Sequence, residues 1–187
     1  VLSVLGFFLL GLSVTMFIPA IIDLIFNNSG WYYFLVSSII TSFVGLMLFL
    51  ISRGNKSELN TKSAFLLVTL SWIILSMFSS VPFLLSTNIT GITNAFFESV
   101  SGLTTTGSTI IDDIENTAEG IIVWRSLLQW LGGIGIIIMA ITLMPIMNVG
   151  GMQLFKISNN DSSEKILPKS KEIALRLIYI YTSLTLL

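Results

Sequence analysis

Hydrophobic residues run through this chain in four long stretches that carry almost no charge. The stretches are Val1–Phe26, Trp31–Ser52, Ser63–Thr87 and Ile121–Gly151. The only charged residues within them are Asp23 and Arg125. A helix needs about 20 apolar residues to cross the hydrocarbon core of a bilayer, so each stretch is long enough to span it. Because another apolar segment begins near Ile173, the pattern predicts four transmembrane helices and the start of a fifth.

The composition agrees with a membrane protein and excludes several kinds of catalytic chemistry. Hydrophobic residues make up 53% of the 187 residues and charged residues only 10%, which is more apolar surface than a soluble core can hide. The chain has no cysteine and no histidine, which excludes thiol catalysis, zinc or haem ligation by these residues, and imidazole triads. Its net charge of −1 argues against a nucleic-acid partner. We predict an all-α integral membrane protein that is not an enzyme and has no organic cofactor.

The basic residues lie in two clusters, and their positions predict the topology. Eight of the nine fall within positions 53–62 and 156–176, and the exception is Arg125. The positive-inside rule places both clusters in the cytoplasm. The first and third helices then run outward and the second and fourth run inward. The segment Asn88–Gly120 therefore begins and ends outside the membrane.

The outer ends of the first two helices carry residues suited to the membrane interface. Trp31–Tyr33 follow the tight outer connection Asn27–Gly30 and suit an aromatic belt at the headgroup level. We expect Asp23 to reach the interface at the outer end of the first helix. We expect Pro19 to kink or loosen that helix, because proline cannot donate a backbone hydrogen bond.

The outer segment Asn88–Gly120 contains an apolar stretch that is too short to cross the membrane. As a helix, Ile92–Leu103 reaches about 18 Å, roughly half of the hydrocarbon thickness. Because the segment begins and ends outside, this stretch can enter the membrane only as a re-entrant helix followed by a non-helical return. Its candidate N-caps are Gly91, Thr93 and Asn94.

The return, Thr104–Thr109, carries residues suited to binding a dehydrated cation. Bare backbone at membrane depth is tolerated only where it is buried in protein or lines a water-filled cavity. Gly107 permits a φ that other residues resist, and carbonyl and threonine oxygens can replace the water of an alkali cation. The negative end of the short helix favours the same ion. The alternative is a polar extracellular turn after a surface helix, with the threonines packing through their β-branched side chains.

Longer matches in the same region identify a family. The segment Asn94–Thr109, NAFFESVSGLTTTGST, resembles the first pore loop of the Trk/Ktr potassium transporter superfamily, and most closely that of its Trk membrane subunit. The continuation Trp124–Ile136, WRSLLQWLGGIGI, resembles the same subunit, as do Gly150–Phe155 and Ile166–Lys169. Two long motifs in order make this a specific signal over roughly half of the chain.

The resemblance implies an architecture of four helix–pore-loop–helix repeats around one pore, preceded by two extra helices. On this scheme the chain is an N-terminal fragment that does not conduct alone. Its parts would be two leading transmembrane helices (1–52), a cytoplasmic loop (53–62), the first repeat (63–151), a cytoplasmic linker (152–172) and the start of the second repeat (173–187). Within the first repeat, the pore helix would be 92–103 and the filter 104–109.

The resemblance also implies potassium uptake across the cytoplasmic membrane of a prokaryote. Potassium is then the transported ion, and the filter residues are Thr105, Thr106, Gly107 and Ser108, with K⁺ at the first three. The implied partners are membrane lipid, the remaining pore repeats, a second copy in a homodimer and a cytosolic nucleotide-binding regulatory subunit. Two alternatives stay open: a non-transporting scaffold or sensor with an extracellular cap, and a secondary transporter of another class.

Residues around the filter have candidate supporting roles. Thr104 begins the return, and Glu98 either braces the filter through backbone N–H groups, pairs with Arg125 or is exposed in the vestibule. Arg125 either snorkels or pairs with an acid of the outer loop. Four acids would concentrate cations at the pore mouth or simply be solvated. They are Asp112, Asp113, Glu115 and Glu119.

Glycines in and after the fourth helix also have two interpretations. Gly132, Gly133 and Gly135 either allow close helix packing or form a gating hinge. Gly150 and Gly151 are predicted to end the helix on the cytoplasmic side.

Overall fold

A computed structural model describes residues 1–52, 61–87, 89–147 and 175–185, without the side chains of residues 61 and 140–147. Every regular element within these ranges is helical, which confirms the predicted all-α class. The helices are α1 (Leu2–Thr15), α2 (Phe17–Ile25), α3 (Trp31–Ile51), α4 (Thr61–Ser79), α5 (Val81–Leu85), α6 (Ile92–Leu103) and α7 (Glu119–Met147). Residues 175–185 are also helical. The predicted linker 152–172 and the predicted C-cap glycines Gly150 and Gly151 lie outside the described residues.

Within the described ranges, four helical segments are long and apolar enough to cross a membrane, as the hydrophobic pattern predicted. They are Leu2–Ile25, Trp31–Ile51, Lys62–Leu85 and Glu119–Met139. The first is interrupted at Met16, one turn before Pro19, and the third at Ser80, just before Pro82. Because proline has no N–H to donate, the interruptions fall where the helical hydrogen bonds are already incomplete. The predicted kink or loosening of the first helix by Pro19 takes the form of this interruption.

The chain divides into two compact units, Val1–Gly132 and Gly133–Leu187. In the first unit, α1 and α3 cross at Gly6 and Gly45, where a Cβ on Gly6 would lie 2.7 Å from the carbonyl oxygen of Gly45. At a second contact between α3 and α1, the Ser38 hydroxyl donates to the Ser13 carbonyl at 2.9 Å. Small residues let membrane helices approach this closely. The contacts make the leading hairpin (α1–α3) a tight package.

The core of the first unit joins the leading hairpin to the helices that follow. Phe34 of α3 and Trp124 of α7 are both fully buried and meet edge to face, with ring centroids 6.3 Å apart. The indole N–H of Trp124 donates to the Ser79 carbonyl of α4 at 3.0 Å. Other members of the core are Leu12, Met16, Ala20, Phe83, Ile89, Ala95, Leu103, Ile111, Ile121 and Leu128. Trp124 therefore ties α3, α4 and α7 together beside α6.

Asp23 lies inside the protein, so the expectation that it reaches the membrane interface is wrong. Its residue is fully buried, and its Oδ1 accepts hydrogen bonds from the Gly120 N–H at 2.8 Å and the Asn28 side-chain amide at 3.2 Å. The cause is the position of α7, whose first turn packs directly on the end of α2. Glycine at position 120 leaves the space that the carboxylate occupies, since a Cβ there would overlap it.

Candidate ion-binding site

The short helix α6 has the bounds that the sequence predicted, Ile92–Leu103. Its N-cap is Gly91, with φ of 91°, which was one of the three candidates. Thr93 and Asn94 lie within the first turn, and the Asn94 amide donates back to the Thr90 carbonyl at 2.8 Å, so neither is the cap. A glycine fits because the chain enters the helix at a φ that favours residues without a side chain.

Serine hydroxyls attach the buried face of α6 to α4. The Ser99 hydroxyl donates to the Ser76 carbonyl at 2.7 Å and lies 2.5 Å from the Ser79 hydroxyl. All three serines are buried. Since polar groups away from water are stable only when they have partners, these bonds fix the position of α6 against α4.

The predicted filter segment, residues 104–109, begins as the C-terminal cap of α6. The Thr106 N–H donates to the Ser101 carbonyl and the Thr105 N–H to the Gly102 carbonyl, each at 3.0 Å. This pair of bonds defines a Schellman motif, which places the residue after the C-cap in the left-handed region. That residue is Thr105, with φ of 57°. Glycine is usual there, because a β-branched residue at positive φ is strained.

Replacing Thr105 with glycine is expected to raise the thermal stability of the purified protein. Glycine avoids the left-handed penalty of about 1–2 kcal/mol per residue. The same change at Thr106, which is not left-handed, adds freedom to the unfolded chain and removes the hydroxyl that lies 2.7 Å from the Thr104 hydroxyl, so it should lower stability. Thermal unfolding of the wild type and both variants checks this. A lower melting temperature for Thr105→Gly would mean that the threonine side chain stabilises the loop by more than the backbone strain.

The carbonyl oxygens along the filter segment fall into two groups. Among the residues that the structure describes, those of Thr104, Thr105 and Thr106 accept no hydrogen bond, and all three residues are exposed. The Gly107 carbonyl accepts a long bond of 3.4 Å from Arg125 Nη2. The Ser108 carbonyl accepts a bond of 2.6 Å from the Ser101 hydroxyl and so points back at α6. The oxygens open to a cation are those nearest the C-terminus of α6.

Hydroxyl groups at the start of the segment also face one another. The Thr104 hydroxyl donates to the Val100 carbonyl at 2.8 Å and lies 2.7 Å from the Thr106 hydroxyl. Gly107 follows with φ of 79°, a conformation that L residues resist. The backbone is therefore left-handed at Thr105 and again at Gly107, two residues later.

Glu98 is fully buried and braces the outer part of this segment. Its Oε2 accepts the Ile110 N–H at 3.1 Å and the Thr109 hydroxyl at 3.2 Å, and its Oε1 meets Arg125 Nε. The contact with Arg125 is an ion pair rather than a well-aligned hydrogen bond. Of the three interpretations of Glu98, exposure in the vestibule is wrong, because the residue is buried. The contact with a backbone N–H and the pairing with Arg125 are both present. The partner of Arg125 is accordingly Glu98 and not an acid of the outer loop.

The four outer acids divide into solvated and engaged groups. Asp112, Asp113 and Glu115 are exposed, while Glu119 is half-buried and accepts a hydrogen bond from the Asn28 amide. The side-chain amide and backbone N–H of Asn116 donate to Asp113 and hold the pKa of that carboxyl below its ordinary value. Their role in concentrating cations stays a prediction.

Two of the three predicted α7 glycines are positions of close packing. A Cβ on Gly132 would overlap the Leu103 carbonyl at the end of α6, all within the first unit. In the second unit, a Cβ on Gly133 would lie 2.5 Å from the Tyr181 hydroxyl oxygen. A Cβ on Gly135 would meet no atom of the described residues within 4 Å. These spaces support the packing interpretation at the first two glycines, while the hinge stays a prediction.

Several residues of the site carry no signal that sequence analysis recognised. Ser99 and Ser101 hold α6 and the returning segment, and their polarity within an apolar helix was the available signal. The left-handed conformation of Thr105 had none, because threonine does not mark such a position. Asp23 was noted, but its partner Gly120 lies 97 positions away in the chain.

Comparisons with known proteins identify relatives of this chain. The family model described as TrkH, Cation transport protein, matches residues 29–187. The Trk system potassium uptake protein TrkH of Vibrio parahaemolyticus is 38% identical over 189 residues, which is 100% of this chain and 39% of that protein. The protein of the same name from Halomonas elongata is 40% identical over 188 residues, 99% of this chain and 39% of that protein.

A solved structure also matches. The crystal structure of the potassium transporter TrkH from Vibrio parahaemolyticus superimposes with a TM-score of 0.85 at 35% sequence identity, and the match covers 100% of this chain and 37% of that one. The chain spans about two fifths of the length of the curated relatives that it matches. The family model matches most of this chain, and the chain is 38% identical to a TrkH protein along its whole length. The chain therefore belongs to the TrkH cation transport protein family and is part of a multi-pass inner-membrane protein.

Proposed function

We propose that the chain supplies the first of four pore loops of a potassium uptake protein. In this proposal α6 is a pore helix that enters the membrane from outside, and residues 104–109 are the filter strand. Potassium binds at Thr105, Thr106 and Gly107, where oxygens replace its hydration water. The relatives are named potassium uptake proteins, which supports transport rather than catalysis.

The observation that carries this proposal is the set of uncommitted carbonyls at the end of α6. The oxygens of Thr104, Thr105 and Thr106 have no donor among the described residues, and they lie where the helix dipole is negative. Both features favour a cation. The Ser108 carbonyl is held by Ser101, so Ser108 anchors the strand in this proposal rather than binding the ion through that oxygen.

The remaining parts of the pore come from sequence beyond this chain. We assign residues 1–52 to two leading transmembrane helices, 53–62 to a cytoplasmic loop whose last two residues already begin α4, 63–151 to the first repeat, 152–172 to a cytoplasmic linker and 173–187 to the start of the second repeat. A chain that spans about two fifths of its relatives leaves room for the other loops. Three more loops would complete a four-sided filter.

The proposed partners follow from the same scheme. Exposed apolar side chains such as Ile39 (67% exposed) and Phe43 (60% exposed) on α3 suit contact with lipid or with other helices. We further propose a homodimer and a cytosolic nucleotide-binding regulatory subunit. The basic residues of 156–171 would face that subunit or anionic lipid headgroups.

Cysteine accessibility tests whether residues 104–108 form a filter. The chain has no native cysteine, so single cysteines can be placed at these positions in a cysteine-free full-length protein. A filter predicts slow labelling from outside that depends on potassium, while a cysteine at exposed position 116 labels freely. Fast labelling throughout, independent of potassium, would support the extracellular cap of a scaffold or sensor. A transporter of another class would show labelling that responds to a different substrate.

Replacing Gly107 with serine is expected to weaken discrimination against sodium. A side chain at φ of 79° strains the backbone and shifts the neighbouring carbonyls, although a Cβ there meets only Gln129 Nε2 at 3.8 Å. The measurement is potassium and sodium uptake by the full-length protein. The matched control is Gly91→Ser, which places the same side chain at the other left-handed glycine, with open space around it. Equal selectivity for potassium over sodium in the wild type and in Gly107→Ser would show that Gly107 is not a filter residue.

A further inference from the structure

Asp23 links the leading hairpin to the helix that carries Arg125. Its carboxylate is buried at the first turn of α7 and accepts the Gly120 N–H at 2.8 Å. Both neighbouring glycines make space for it. A Cβ on Gly30 would lie 2.9 Å from Oδ2, and a Cβ on Gly120 would overlap the carboxylate. The end of α2 and the start of α7 are therefore shaped around one side chain.

The Oδ1 of Asp23 suits this place as an acceptor, while its Oδ2 is buried without a hydrogen-bond partner among the described residues. A carboxylate at a helix N-terminus interacts favourably with the helix dipole and with N–H groups that have no partner in the helix. The Asn28 side chain extends the contact, because its amide donates both to Asp23 and to Glu119 of the same turn. Two separate groups of the leading hairpin thus hold the first turn of α7.

The same end of α7 sets the position of the filter strand. Arg125 lies five residues after Gly120, and its guanidinium contacts both the Gly107 carbonyl and Glu98. Glu98 in turn accepts the Ile110 N–H. Between these residues, Trp124 is fixed by Phe34 and by the Ser79 carbonyl, so the segment from Gly120 to Arg125 has little freedom to shift.

We propose that Asp23 is a positioning residue for ion binding, acting through α7 and Arg125 on the backbone at Gly107 and Ile110. This inference rests on the proposed function, since it assigns a role in potassium affinity to a residue of the leading hairpin. It predicts that the leading hairpin contributes to ion affinity and does not serve only as an anchor in the membrane.

The first test compares transport kinetics of the full-length protein. Asp23→Ala is expected to raise the KM for potassium about tenfold, which is the size of effect seen when a residue that supports the ligands of a bound metal ion is removed. The maximal rate and the membrane abundance should stay within about twofold of wild type. Asp23→Asn keeps an oxygen that can accept the Gly120 N–H and should restore most of the affinity. The matched control is Ser38→Ala, which removes a hydrogen bond between α3 and α1 of the same hairpin without touching Asp23, Asn28 or Gly120, and should leave KM unchanged.

The second test does not depend on transport. Hydrogen exchange of the purified full-length protein should show faster exchange of the amides of residues 107–111 in Asp23→Ala and in Asn28→Ala, but not in Ser38→Ala. If the wild type fails to take up potassium, the proposed function is wrong and hydrogen exchange alone decides the positioning role. Unchanged KM and unchanged exchange in both Asp23→Ala and Asn28→Ala would overturn it. The proposal would also be overturned if reduced membrane abundance explained the entire loss of uptake in both Asp23→Ala and Asp23→Asn.

Discussion

Replacing Glu98 with alanine is expected to abolish potassium uptake by the full-length protein. The change leaves the guanidinium of Arg125, whose side chain is only 15% exposed, without its carboxylate partner. Removing one member of a buried ion pair typically costs about 3–5 kcal/mol, because the remaining charge stays away from water. It also removes the acceptor of the Ile110 N–H, so the outer end of the filter strand loses its attachment.

Two comparisons separate a filter defect from general misfolding in this experiment. Asn94→Ala changes an exposed residue of the same helix and should transport normally. Glu98→Gln keeps an acceptor for Ile110 but loses the charge, so its uptake should lie between those of wild type and Glu98→Ala. Uptake assays and thermal unfolding on all variants provide the measurement. Normal potassium uptake by Glu98→Ala would show that the ion pair does not support the filter.

Replacing Gly132 with alanine is expected to displace the end of α6 and with it the filter. A Cβ at this position would overlap the Leu103 carbonyl, a backbone atom that cannot move without shifting the residues that follow it. Overpacking of this kind typically costs about 1–3 kcal/mol in stability, and occasionally more. Because Thr104 and Thr105 come directly after Leu103, the expected result is loss of potassium uptake together with a lower melting temperature.

Other glycines of the chain serve as matched comparisons for this change. Gly11→Ala introduces the same methyl group on α1, where nothing lies within 4 Å, and should be tolerated. Gly135→Ala separates packing from hinge motion, because a Cβ there also meets nothing within 4 Å in the part of the chain that the structure describes. If Gly135→Ala slows transport while leaving stability unchanged, the hinge interpretation gains support. Wild-type uptake and stability in Gly132→Ala would disprove the close contact between α7 and α6.

The positions of the helices followed from hydrophobicity alone. Ile92–Leu103 was bounded correctly because it is a short apolar run between polar residues, and its length excluded a full crossing. Pro19 marked the interruption of the first span for a simple chemical reason, the missing N–H donor. These features depend on neighbouring residues in the sequence, so a pattern along the chain is enough to predict them.

Contacts between distant segments were beyond such a pattern. Asp23 is an acidic residue at the end of an apolar helix, which predicts a place at the membrane interface. Only the packing of α7 on α2 makes its side chain a buried acceptor. Arg125 had several acids within reach by sequence, and the fold selects Glu98. Similarly, Ser108 is of a residue type that suits a filter, but its carbonyl accepts a hydrogen bond from the Ser101 hydroxyl. In each case the deciding partner comes from the geometry of helix packing.

The Schellman motif at the end of α6 has a consequence for assembly of the pore. The carbonyls of Thr104–Thr106 are oriented by bonds to Ser101 and Gly102, all within one short segment. Contacts this local form early and need no other repeat to direct them. In the proposed four-loop pore, we therefore expect this loop to take its shape during synthesis of its own repeat. The later repeats would then join a site that is already preorganised, and association would cost little rearrangement.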